Sequence, residues 1–117
     1  KLGSPRAMCE LGKCYMEGLL GVEQSHEQAV MWFRAAANAR DAEAMNCLGL
    51  CLQSGWGAAA DAREAAAWFL AAAQLGHAAA QYNLGRCLEH GSGVERDLEG
   101  ARAWYRDAAK QQYMPPT

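Results

Sequence analysis

The side chains best equipped for chemistry are five cysteines and three histidines. Cys47 and Cys51 stand four apart, so a helix carries both on one face. Two thiolates make half of a tetrahedral metal site. No C-x-x-C or H-x-x-x-H supplies the other half, and His26, His77 and His90 fall at unrelated places in the chain. Cys87 with His90, three apart, has the spacing of a thiol nucleophile and its base. Such a base must itself be oriented by a third group, and Glu89 is the kind of neighbour any helix offers. The expectation is therefore no enzyme, no cofactor and no metal, with a cysteine-based metal or redox site as a remote alternative. Cys9, in the first turns of the chain, is expected to be exposed and open to oxidation. An odd cysteine count in a chain that lacks the composition of a disulfide scaffold points to a reducing compartment, the cytoplasm.

The elements that position these residues follow from the rest of the sequence. At 117 residues the chain makes one domain or a piece of a longer array. Half of it is hydrophobic, much of that alanine, which favours helix while burying little area per residue. The formal net charge is -2, with the signs interspersed. No Lys/Arg run is present to track a phosphate backbone, which argues against nucleic acid. The longest small-apolar run, AAAWFLAAA over 65–73, is too short to span a bilayer. There is no signal-peptide pattern and no N-x-Ser/Thr sequon. The opening Lys1-Leu2-Gly3-Ser4 resembles a cloning remnant.

One unit occurs three times. Its anchor is a Leu-Gly pair: Leu11-Gly12, Leu48-Gly49, Leu84-Gly85. An alanine stands four before each leucine (Ala7, Ala44, Ala80) and a glycine seven after it (Gly18, Gly55, Gly91). A second glycine follows (Gly21, Gly57, Gly93), then a cap residue (Ser25, Asp61, Asp97). Beyond the cap come Ala29, Ala65 or Ala101, a Trp-aromatic pair (Trp32-Phe33, Trp68-Phe69, Trp104-Tyr105) and a closing Ala pair. The tryptophans recur every 36 residues. The units span about 5–40, 41–77 and 78–113.

Each unit reads as two helices, A and B. Gly18, Gly55 and Gly91 stop helix A. Ser25 with Gln28 and Asp61 with Glu64 are spaced as capping boxes opening helix B. Pro115-Pro116 closes the last helix. Periodicity places Trp32, Trp68 and Trp104 in the core. Gly12, Gly49 and Gly85, inside helix A, each cost about 1 kcal/mol relative to alanine. Their compensation is expected to be close approach of helix B, with Phe33, Phe69 or Tyr105 covering the missing side chain.

These motifs, A-x-x-x-L-G followed by G-x-G-V-x-x-D-x-x-x-A-x-x-W-F-x-x-A-A, resemble the Sel-one-like repeat family, a relative of tetratricopeptide repeats. The third unit, AQYNLGRCLEHGSGVERDLEGARAWYRDAA over 80–109, is the nearest match. The chain departs from the pattern in its longer first loop, in Trp56 and Ala58 of the second loop, in Leu52 and Leu88 at a tyrosine position held by Tyr15, and in Gln112 where a unit-ending glycine such as Gly76 is expected. The resemblance implies an all-α fold, a right-handed α/α superhelical solenoid of three helix-turn-helix repeats with the A helices lining a concave face. It implies an adaptor that binds a protein or peptide there. Members with disulfide-stapled repeats carry a second cysteine in helix B, which this chain lacks; Cys14, Cys51 and Cys87 share one slot and read as small buried hydrophobes.

Carried onto this chain, the groove-lining slots hold Cys9, Lys13 and Met16, then Asn46, Leu50 and Gln53, then Tyr82, Arg86 and Glu89. Lys13 and Arg86 suit a carboxylate or acidic peptide, and Tyr82 is a typical hot-spot type. The competing reading is an ordinary solvated face. Trp56, between loop glycines, either folds over Ala58 or anchors a partner. No polar helix seals either end, so the chain is expected to belong to a longer protein or to associate end to end as an architectural segment.

Overall fold

The computed structural model describes residues 4–115. Lys1, Leu2, Gly3, Pro116 and Thr117 lie outside them, and with them most of the cloning-remnant reading and half of the expected proline stop. Among the described residues six helices follow one another: α1 (Pro5–Glu17), α2 (His26–Asn38), α3 (Ala42–Ser54), α4 (Ala62–Gln74), α5 (Ala78–His90) and α6 (Leu98–Lys110). They pair as α1–α2, α3–α4 and α5–α6, and α2 packs on α3 as α4 does on α5. The resulting stack measures 43 × 28 × 27 Å. None of these helices is long and apolar enough to cross a membrane.

The interior glycines do what their register requires. A methyl group built on Gly49 would lie 2.6 Å from Phe69 Cε1. The equivalent distances are 2.6 Å from Gly12 to Phe33 and 2.7 Å from Gly85 to Tyr105. Each aromatic ring thus rests on bare backbone, and the cost of glycine is offset by contact between the two helices of one hairpin.

Capping differs from expectation in one half. Ser25, Asp61 and Asp97 do accept from the amides of Gln28, Glu64 and Gly100. The reciprocal bond to the cap's own amide is not made by a side chain. Instead the amides of Ser25, Asp61 and Asp97 each donate at 2.8 Å to the carbonyls of Tyr15, Leu52 and Leu88 in the preceding helix. A backbone bond therefore ties B to A at the same point in every hairpin. Freed from the cap, Glu64 accepts from Arg34 at 2.9 Å and from the Trp68 indole at 3.1 Å, joining α4 to α2 of the repeat before. These two donors hold the Glu64 carboxyl below its ordinary value.

The tryptophans reach the core only at its edge, where Trp68 and Trp104 pack against it. Trp32, Trp68 and Trp104 are half-buried, whereas Phe33 and Phe69 are enclosed. Trp and the following aromatic lie about 100° apart on the helix, and the neighbouring helices take the second of the two. Leu48 and Leu84 are buried, while Leu11 of the first unit is half-exposed.

The second loop glycine reports stacking between repeats. Gly57 has φ +79°, and a side chain there would run into the His26 carbonyl at the start of α2. Gly93 meets the Ala62 carbonyl of α4 in the same way. Gly21 has φ +81° but faces nothing within 4 Å. Gly21→Ala is expected to cost about 1 kcal/mol for its backbone conformation alone. Gly57→Ala adds the backbone clash and should cost about 2 kcal/mol. Urea midpoints of the two variants check this, and equal losses would contradict the inter-repeat contact.

Candidate interaction groove

Helices α1, α3 and α5 present three parallel rows of slots. In the first row, Cys9 is fully buried and Asn46 nearly so. Cys9 was expected to be exposed; it is instead enclosed against Cys47 of α3. Asn46 accepts a hydrogen bond from Asn83 Nδ2 at 2.9 Å across the α3–α5 boundary. Tyr82 is half-buried, with its ring 5.4 Å from Tyr105 and 5.7 Å from Tyr113.

The second row holds Lys13, Leu50 and Arg86. Lys13 is already engaged: its ammonium pairs with Glu43 and stands 3.9 Å from Glu10. The bond to Glu43 raises the Lys13 pKa. Leu50 and Arg86 are exposed, and Arg86 forms no ion pair among the described residues. The third row holds Met16, half-buried, Gln53, exposed, and Glu89, which accepts from the Tyr105 hydroxyl at 2.6 Å. Burial and that carboxylate push the Tyr105 phenol up. Sequence reasoning missed Glu43, Tyr105 and Tyr113 as neighbours of the row. Each belongs to a different helix or loop from the residue it meets, and no spacing within one helix signals it.

Between α1 and α3 the surface opens into a cavity of about 410 Å³. Met16, Leu50, Cys14 and Cys47 line it, with Leu19 and Trp56 from the two A–B loops. Trp56 is 49% exposed, so neither an exposed anchor nor a folded-down ring describes it fully. Its indole stacks on His26 of the preceding repeat, with centroids 5.7 Å apart. Cys51 and Cys87 are buried, as small hydrophobes at that slot should be, while Cys14 is half-buried. Burial pushes the Cys51 thiol up to about 11. Among the described residues no three His, Cys, Asp or Glu side chains gather as metal ligands.

The model of the Sel1 repeat matches residues 5–41, 42–77 and 78–113. A Sel1 repeat protein from Oxalobacter formigenes is 36% identical with a TM-score of 0.87, over 91% of this chain and 43% of that one. The protective antigen c5321 of uropathogenic Escherichia coli, described as displaying an SLR fold, is 38% identical with a TM-score of 0.90, over 93% of this chain and 23% of that one. Cysteine rich protein B of Helicobacter pylori shares the fold at 22% identity and a TM-score of 0.74, over 91% of this chain and 80% of that one. The chain thus spans less than half the length of the first two. No curated protein matches it.

Proposed function

Because the chain belongs to the Sel1 repeat family, whose fold commonly mediates protein–protein interaction, we propose that it is a docking module that holds a segment of a partner protein along α1, α3 and α5. Family members are typically non-enzymatic scaffolds, and the module needs no catalysis. The observation that carries the reading is the apolar cavity between α1 and α3 with Leu50 and Trp56 exposed at its mouth. An apolar side chain of the partner fills it. Glu10 and Glu17 line the same cavity, and the ammonium of Lys13 is spent on Glu43 and Glu10. That end of the groove favours a basic residue beside the apolar anchor. A partner carboxylate belongs at the other end, on Arg86 beside Tyr82. The odd cysteine count supports a reducing compartment for the module.

Crosslinking mass spectrometry of the protein in cells identifies the segment bound. Against that segment Leu50→Asp is expected to weaken affinity by roughly 30-fold, the scale of a hot-spot residue. Arg86→Glu should weaken it by about 10-fold, with melting temperature unchanged in both. Unaltered affinity in Leu50→Asp overturns the reading.

A second reading is an architectural segment that associates end to end. Leu20, beside the uncovered Gly21, is 88% exposed, and Met31 is 61% exposed. Sedimentation mass decides it: a monomer at high concentration removes this alternative.

A further inference from the structure

Two cysteines, Cys9 enclosed in the core and Cys47 lining the cavity, occupy a matched pair of slots. Relative to each Leu-Gly anchor, Cys9 and Asn46 both stand two before the leucine, and Cys47 and Asn83 both stand one before it. One repeat later, the side chains in these slots meet: Asn83 Nδ2 donates to Asn46 Oδ1 at 2.9 Å. In the first pair the polar amides are replaced by thiols, which stand near enough across the α1–α3 boundary for each to shift the other's ionisation. Cys9 is fully enclosed, while Cys47 opens onto the cavity beside Lys13.

We propose that Cys9 and Cys47 form an oxidisable dithiol that takes a peroxide and closes a disulfide between the first and second repeats. Cys47 is the attacking thiol. It opens onto the cavity while Cys9 is enclosed, and the adjoining Cys9 thiol draws its pKa down, as does the Lys13 ammonium, while burial, Glu43 and Asp41 oppose it. The neighbouring Cys47, with burial, raises Cys9 and keeps that thiol protonated. The Cys47 thiolate attacks a peroxide oxygen and the O–O bond breaks. Hydroxide (or alkoxide) leaves and takes up a proton, and Cys47 becomes a sulfenic acid. The Cys9 sulfur then attacks the Cys47 sulfur, the S–O bond breaks, and the departing hydroxide takes the Cys9 proton as water. The two thiols lose two electrons and two protons in total. Hydrogen peroxide, gaining both, ends as two waters. Reduction by a dithiol reverses the bond. Nothing in this chemistry requires the cavity to hold a partner, so the dithiol and the docking reading stand or fall separately.

The test uses the full chain and hydrogen peroxide, without any partner. Peptide mapping under non-reducing conditions is expected to give a Cys9–Cys47 linked peptide as the main product, lost on treatment with dithiothreitol. Cys9→Ala is expected to stop at a Cys47 sulfenic acid that dimedone traps. Should Cys9→Ala fail to fold, pulsed alkylation of the unmodified chain replaces it, with Cys47 expected to react fastest of the five thiols. Main products at Cys14 or Cys51, Cys47 carried to the sulfinic acid without linkage, or Cys47 no faster than Cys87 in the pulse would each overturn the proposal.

Discussion

Leucine in place of Gly49 is expected to lower the stability of the chain by about 3 kcal/mol, at the upper end of the range for overpacking. The first added carbon already falls 2.6 Å from Phe69 Cε1 and 2.8 Å from Cδ1, against about 3.5–4.0 Å for an ordinary contact. Phe69 is fully enclosed, so its ring cannot swing into solvent to make room. The gain in helix propensity over glycine, about 1 kcal/mol, offsets only part of the strain. Gly85→Leu should be milder, because the facing Tyr105 is half-exposed and its ring has somewhere to go. Urea denaturation of both variants checks the order. A Gly49→Leu protein that melts with the unmodified chain would remove the close approach on which each hairpin rests.

Phe69→Ala is expected to cost about 3–5 kcal/mol, the range for emptying a buried phenylalanine site. Such a loss is a large share of the ~5–15 kcal/mol that holds a domain of this kind together. The site belongs to the central hairpin, covered by repeats on both sides, so it collapses poorly once emptied. Trp68→Ala should cost less despite removing a larger side chain, since Trp68 is half-buried and its indole bonds to the partly exposed Glu64. The urea midpoint of each single variant decides it; a larger shift for Trp68→Ala would return the tryptophan to the core. In a cycle with Gly49→Ala, Phe69→Leu should relieve part of the overlap, so that the double variant loses less than the two single losses added.

Much of the architecture can be read along the chain because it is written three times in short-range signals. Two helices per unit, glycine stops and Ser or Asp caps act within one or two turns, and the structure places six helices where those signals stand. The pairing of Gly12, Gly49 and Gly85 with Phe33, Phe69 and Tyr105 was also legible, since three interior glycines in register need a common cause. What failed were statements that depend on how one repeat sits against the next. Lys13 appeared free in the sequence, but its partner Glu43 lies thirty residues on, in the next repeat. Cys9 appeared exposed by its place near the start of the chain, yet Cys47 of α3 lies against it.

The sequence by itself determined which residues form helices, where each helix starts and stops, and that A and B of one unit meet at a glycine. Backbone conformation and its penalties act between near neighbours, so residue type and spacing are enough to set them. Which of two adjacent aromatics faces inward, where the amide of each cap residue goes, which groove charges are already neutralised and which thiols touch were decided by tertiary structure alone. Each of those outcomes depends on how far one hairpin is rotated and translated on the next, and that placement is set by packing summed over many weak contacts rather than by any single residue.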